Sequence, residues 1–264
     1  MNYRIFVAFV ALVCYGCACV PTPPTPEARS ALTPAGTLRV AILLTTALQV
    51  TKQASPGELK GVSIDLGKAL AHRMGIPFTP VPYNSIVPLM EGAGTGQWDI
   101  AFLAIDRSRD KDLDYAAPFM EVEIGYLVPA GSPINGLADV DRAGIRVAVS
   151  GTGGTDLLLT RILKHAQLVR GTGIGALTEA LKTGKADAAA ANKPTLFADS
   201  EQLPGSRVLE GRIGTVQYAI ATRKGQDAGN AYVRKFIEEA RAEGLIKAAI
   251  DNAGLRGVVV AAPR

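Results

Sequence analysis

The chain has 264 residues, 48% of them hydrophobic and 20% charged, which suits a globular protein with one large domain or two modest ones. Its 28 Lys and Arg against 24 Asp and Glu leave a net charge of +4, and aromatic residues make up 6%. With no basic run and few rings, neither an electrostatic footprint for nucleic acid nor a stacking platform for single strands is present.

Met1-Asn-Tyr-Arg4 is followed by an apolar run to Val13 and then small residues, the pattern of a secretory signal peptide over residues 1–19. The run is too short to favour a permanent membrane span. All three cysteines, Cys14, Cys17 and Cys19, fall at its end, with no His or further Cys nearby to complete a metal site. Gly16-Cys17 and Ala18-Cys19 each set a small residue before a cysteine, as bacterial lipoprotein cleavage sites do. The usual Leu three positions earlier is missing, so a lipid on Cys17 or Cys19 and free release both stay open. After cleavage the body has no cysteine, hence no disulfide and no thiol catalysis. Residues 20–35 begin with a proline-rich run and read as an extended spacer.

The body opens with a nearly continuous apolar strand over 36–44, which suits a sheet buried on both faces. Leu66, Ala69, Leu70 and Met74 share one face of a helix over 65–75, with Asp65 near its start and Gly75 at its end. A strand at 77–81, a helix at 86–92 and a strand at 99–104 continue the alternation, so the class is α/β. A further strand ends at Pro129. A second block then begins afresh: strand 145–149, helix 156–165, strand 167–169, helix 176–182, strand 186–191 and a helix through Leu196. Strand 216–222 and helices 228–240 and 245–252 close the chain.

The most informative stretch is Gln97 to Phe119. A short buried strand runs into a polar crossover carrying Arg109, then into Asp114-Tyr-Ala-Ala-Pro-Phe119. Arginine at the carboxyl edge of a strand suits capture of a small carboxylate, because the guanidinium pairs two oxygens at once. Ser150-Gly-Thr-Gly-Gly-Thr-Asp156 is a glycine-rich turn between strand and helix whose backbone N–H groups suit an anion. It lacks the closing Gly-Lys-Ser/Thr of a Walker loop and the Gly-x-Gly-x-x-Gly of a dinucleotide site. Neither His72 nor His165 stands beside a nucleophile in the sequence; both read as helix-surface residues, His165 closing its helix. No Gly-x-Ser-x-Gly elbow and no metal-ligand spacing is present.

These segments together resemble the extracellular solute-binding proteins of family 3, the receptors of polar amino acid ABC importers. Asp114-Tyr-Ala-Ala-Pro-Phe119 resembles the family's Asp-Phe-Ser-Asp-Pro-Tyr, and Gly36-Thr-Leu-Arg-Val40 its opening strand. Gly61-Val-Ser-Ile-Asp-Leu-Gly-Lys-Ala-Leu70 resembles its Gly-Phe-Asp-Val-Asp-Leu-Ala helix start. Lys182-Thr-Gly-Lys-Ala-Asp-Ala188 and Ala219-Ile-Ala-Thr-Arg-Lys-Gly225 resemble its later turn and return strand, in the right order.

The resemblance implies a two-lobed, periplasmic-binding-protein-like α/β fold, each lobe a mixed sheet flanked by helices, with the ligand cleft between them. Lobe 1 would comprise 36–128 with 222–264, and lobe 2 residues 129–221. It implies an exported, periplasmic, monomeric receptor that closes on a small carboxylate-bearing solute and hands it to a membrane permease, with no cofactor, metal or catalytic residue. Arg109 matches the arginine that clamps the ligand's α-carboxylate, and Thr152 the second-lobe turn that contacts the same group. Tyr83 matches a cleft aromatic, and Thr45, with Thr46, ends the first strand where ligand-facing groups stand. Two positions depart from the pattern: Ala104 replaces a Ser or Thr, and Asn192 replaces the Asp that binds the α-ammonium. Asn cannot neutralise a buried cation, so Glu123, Glu121 and Asp106 become substitute partners, or the ligand lacks an amine. The same scaffold also serves cyclohexadienyl dehydratases, in which Glu121 or Glu123 would be the acid. A receptor feeding a sensor is a third alternative.

Overall fold

The computed structural model describes residues 23–44, 48, 59–151, 154–172 and 175–263. Helix α1 (Pro26–Leu32) precedes β1 (Leu38–Leu43), α2 (Val62–Met74), β2 (Phe78–Tyr83), α3 (Ile86–Gly94) and β3 (Ile100–Ala104). A 3-10 turn at Arg107–Arg109 leads into the 16-residue strand β4 (Leu113–Val128). There follow β5 (Arg146–Ser150), α4 (Gly154–Ile162), β6 (Gln167–Gly171), α5 (Ala176–Lys182), β7 (Ala188–Asn192), α6 (Lys193–Glu201) and β8 (Arg207–Val208). The chain closes with β9 (Gly214–Arg223), α7 (Asp227–Ala242), α8 (Leu245–Asn252) and β10 (Val258–Val260).

The strands lie in the order β2-β1-β3-β9-β4-β7-β5-β6, with β8 and β10 attached to β4. Counted outward from the centre, β9-β3-β1-β2 and β4-β7-β5-β6 are the same arrangement. In each, a long strand pairs antiparallel with the first of three mutually parallel strands. The two blocks legible in the sequence are therefore two copies of one topology.

The copies share a local device. In the first, Arg39 opens β1 and Asp99 precedes β3. Asp99 accepts from Arg39 N at 2.8 Å and from its guanidinium at 2.6 and 3.0 Å, and returns its own N–H to the Arg39 carbonyl. In the second, Asp187 accepts from Arg146 N at 2.9 Å and from its guanidinium at 2.7 and 3.0 Å, with the same backbone return. Each pair locks the first strand of its block to the neighbouring strand by a bidentate, charge-assisted contact.

Strands β4 and β9 pair with one another and serve both halves. β9 pairs with β3 from Tyr218 to Thr222, and β4 pairs with β7 from Ile124 to Leu127. Tyr218 to Ala221, expected in the second lobe, thus belong to the sheet of the first half, and Ile124 to Val128 to that of the second. A division inside a long shared strand leaves no mark on hydrophobic periodicity. Pro118 sits where the β4–β9 register shifts, the position at which a strand tolerates a residue with no N–H.

Helices cover both faces of each half. One core of the first half gathers Leu38, Val40, Leu66, Leu70, Phe102, Phe119 and Phe236, the two rings 102 and 119 meeting edge to face at 5.6 Å. On the opposite face Trp98 is buried with Leu89 and Leu103, its indole donating to the Leu89 carbonyl at 2.8 Å. The second half is built around Val147, Val149, Leu159 and Ala188 on one face and Leu127, Leu181 and Leu196 on the other.

Two expectations are corrected. The spacer over 20–35 contains a helix: Thr25 caps α1 through Ala28 N at 3.2 Å, Pro26 takes its first position, and Leu32 is fully buried against α7. Helix α4 stops at Ile162, so His165 lies beyond it, exposed, donating its backbone N–H to Asp141 at 2.8 Å. Among the described residues no helix is long and apolar enough to cross a membrane.

Candidate ligand-binding cleft

Strand β3 is buried along nearly its whole length and releases the chain at Ala104. Asp106 then caps the 3-10 turn, accepting from Ser108 N at 2.9 Å and Ser108 Oγ at 2.7 Å. The turn brings Arg109 back over the strand end, where its guanidinium donates to the Ala104 carbonyl at 3.4 Å and stands 3.4 Å from Asp106 Oδ2. Tyr115 donates to the same carbonyl at 3.3 Å. The two Ser108 hydrogen bonds, with the Arg109 charge behind them, hold the Asp106 carboxyl below its ordinary range.

Ala104, Asp106, Arg107 and Arg109 form one wall of a cavity of about 830 Å³. The opposite wall comes from the second half: Gly154, Thr155, Leu157 and Arg161 of α4, and Asn192 at the end of β7. The floor is the crossing strands, through Val122, Thr215, Gln217 and Tyr218. Burial pushes the Tyr218 hydroxyl up to about 12, with the Arg109 charge acting against it. The hydroxyl therefore stays protonated and able to donate. Leu157 is more than half exposed on this wall, an apolar surface open to the cleft.

Asn192 is oriented by its own helix. Its Oδ1 accepts from Thr195 N at 3.0 Å and from Thr195 Oγ1 at 2.8 Å, capping α6. A backbone N–H can only donate, so the amide oxygen is fixed toward the helix, and the Nδ2 donors are what remain for the cavity.

The sequence-derived residues divide in space. Arg109, Ala104, Asp106 and Asn192 meet in the cleft. Thr45 and Thr152 lie outside the described residues, as does Thr46. Tyr83 does not line the cavity: it is packed beside Leu89 and Trp98 behind the sheet, its hydroxyl donating to Gln97 Oε1 at 3.2 Å. Glu123 does not line it either. It receives Lys193 Nζ at 2.7 Å and Arg212 NH1 at 3.4 Å, and Lys193 above all holds its carboxyl below the usual value. Successive strand residues alternate faces, and Val122 takes the cavity side between the two glutamates. Glu121 accepts from Gln217 Nε2 at 2.8 Å. Thr155 stands inside α4 and lines the cavity. Arg161, Tyr218 and Gln217 were not singled out by the sequence. The i, i+4 spacing of Leu157 and Arg161 on one helix face was the available signal.

A cavity walled by two α/β halves and floored by the strands that join them is the architecture of a receptor for a small solute. Residues 38–253 match the family model of bacterial extracellular solute-binding proteins, family 3, and the chain belongs to that family. It is thus an exported, solute-binding protein.

The chain is 23% identical over 198 residues to the ABC transporter glutamine-binding protein GlnH of Bacillus subtilis (strain 168), covering 73% of this chain and 72% of that one. Among solved structures it resembles an amino acid ABC transporter substrate-binding protein from Streptococcus pneumoniae Canada MDR_19A bound to L-arginine. The TM-score there is 0.66 at 23% identity, over 87% of this chain and 99% of that one. It also resembles the ancestral amino acid-binding protein AncCDT-1, a precursor of cyclohexadienyl dehydratase, with a TM-score of 0.65 at 21% identity, over 84% and 96% of the chains. At these identities the structural likenesses establish the fold.

Proposed function

We propose that the chain is the extracytoplasmic receptor of an ABC importer, holding a small carboxylate-bearing solute, an amino acid or related organic acid, between its halves. The observation that carries this is the cavity that Arg109 shares with α4, Asn192 and the crossing strands. A ligand bridging both walls favours the closed arrangement by the contacts it gains there, and the closed form is what a permease would recognise. Under this reading the lobes divide near Ile124 of β4 and Gly214 of β9, where strand pairing passes from one half to the other. Arg109 is the carboxylate clamp; Thr152 and Thr45 remain proposed cleft residues on the resemblance alone. The protein works in the periplasm, as a monomer, with a lipid on Cys17 or Cys19 or none.

Turnover plays no part in this function. A dehydratase would need a carboxylic acid ready to give up a proton, whereas Asp106, the carboxylate among the described lining residues, is held in its ionised form. The test is calorimetric titration of Arg109→Ala with a ligand that binds the wild type. Affinity should fall at least tenfold while unfolding stays cooperative. Equal affinity would remove Arg109 from the site.

A further inference from the structure

The charges lining the cleft are strongly unbalanced. Among the described lining residues, Arg107, Arg109 and Arg161 bring three guanidiniums, and Asp106 is the carboxylate that faces them. That carboxylate is already occupied, its Oδ1 by both Ser108 donors and its Oδ2 by Arg109. Among the neutral side chains, Asn192 has its oxygen committed to Thr195, and Thr155, Thr215, Gln217 and Tyr218 bring polar atoms but no negative charge. Ala104 offers a carbonyl that Arg109 and Tyr115 already share. Gly154 and Thr155 add the amino-terminal end of the nine-residue helix α4, which favours negative charge.

A ligand ammonium entering this cleft would meet donors and cations on both walls, and a buried charge without a partner is costly. A single carboxylate would satisfy Arg109 and leave Arg161, on the facing wall, without an anion when the cleft closes. From this geometry we propose that the ligand is a short dicarboxylate without an amino group, one carboxylate taken by Arg109 and the second by Arg161 with the start of α4. Asn192 Nδ2 acts with the second group as a neutral donor. The proposal rests on the receptor reading above and specifies its substrate class.

The experiment compares matched ligands by calorimetry on the protein purified after export of the full chain. Succinate, glutarate and adipate are set against L-aspartate, L-glutamate and L-2-aminoadipate, which differ from them only by the α-ammonium, and against pentanoate, which lacks the second carboxylate. One of the dicarboxylates should bind at least tenfold more tightly than its amino counterpart and than pentanoate. Arg161→Ala should weaken that dicarboxylate at least tenfold and abolish its preference over pentanoate. Asn192→Asp, which keeps the oxygen that caps α6, should move the preference at least tenfold toward the amino acid.

Tighter binding of any amino acid in the series, or of L-glutamine or L-arginine, than of every dicarboxylate would overturn the substrate class while leaving the receptor reading standing. Silence from all three dicarboxylates would overturn it as well. The receptor reading itself falls only if no solute of any class binds, or if a bound one is turned over.

Discussion

The two Arg–Asp locks have nearly identical geometry and different burial, which makes their truncation a controlled measurement. Asp99 is fully buried and its partner Arg39 is 21% exposed, whereas Arg146 and Asp187 are 39% and 33% exposed. Removing one partner of a buried pair strands the other charge and costs about 3–5 kcal/mol. Because Arg39 keeps a partial route to water, Asp99→Ala should fall at the lower end, about 3 kcal/mol. Asp187→Ala loses a solvent-screened pair worth about 0–1 kcal/mol and a backbone hydrogen bond worth about 1 kcal/mol, hence about 1–2 kcal/mol in all. At roughly 2–4 °C per kcal/mol for a chain of this size, the Tm losses are about 6–12 °C and about 2–8 °C. Urea unfolding followed by tryptophan fluorescence reads the first half specifically, since Trp98 is the one tryptophan of the sequence and lies in that half's core. Far-UV circular dichroism reads both halves. The midpoint should move with an unchanged m-value. Equal losses for the two variants would refute burial as the deciding variable and assign the effect to backbone bracing, which the two sites share.

Two further outcomes follow from packing and charge. Leu32→Ala should destabilise the protein by about 2–5 kcal/mol in thermal unfolding, because Leu32 is fully buried between α1 and the first-half core; an unchanged Tm would show that α1 is dispensable to the body. Glu123 has a folded pKa lowered from its ordinary 4.5 by Lys193 first and Arg212 second. Its stabilisation is therefore present above 4.5 and lost as pH falls through the lowered folded value. Glu123→Gln should be less stable than wild type at neutral pH and converge on it in acid, and a stability gap that stays constant with pH would contradict the ion pair.

The layered alternation was legible because buried parallel strands and amphipathic helices carry different periods. Helices α5 and α8 fall at the residues the pattern gives, and β1, β3, β5 and β7 within a residue or two. Helix α1 was hidden by the prolines around it: a seven-residue helix holds by docking on α7 rather than by its own propensity. The first half of β4 was hidden by Pro118, tolerated only because the register shifts there. Arg109, Ala104 and Asn192, which line the cavity, were legible because Ala104 and Asn192 end strands and Arg109 stands in the turn that follows β3. Glu123 does not line that cavity, because its side of β4 depends on register, which the sequence does not state. Tyr83 packs beside Trp98 instead of lining that cavity, and a strand-end tyrosine fits a cleft or a core equally well. Arg161 and Tyr218 reach the cavity only through the way two halves face each other across β4 and β9.

The central claim, a receptor whose cleft is clamped by Arg109, is tested most directly by a thermal-shift screen. Wild type and Arg109→Ala are run side by side against dicarboxylates, amino acids and aromatic keto acids, with chromatography of each mixture for turnover. A ligand at a thousandfold its Kd adds about 4 kcal/mol, on the order of 10 °C here. The account predicts such a shift for one chemical class in the wild type, its collapse in Arg109→Ala, and recovery of the compound unchanged. A shift that survives in Arg109→Ala, or a compound consumed, would contradict it.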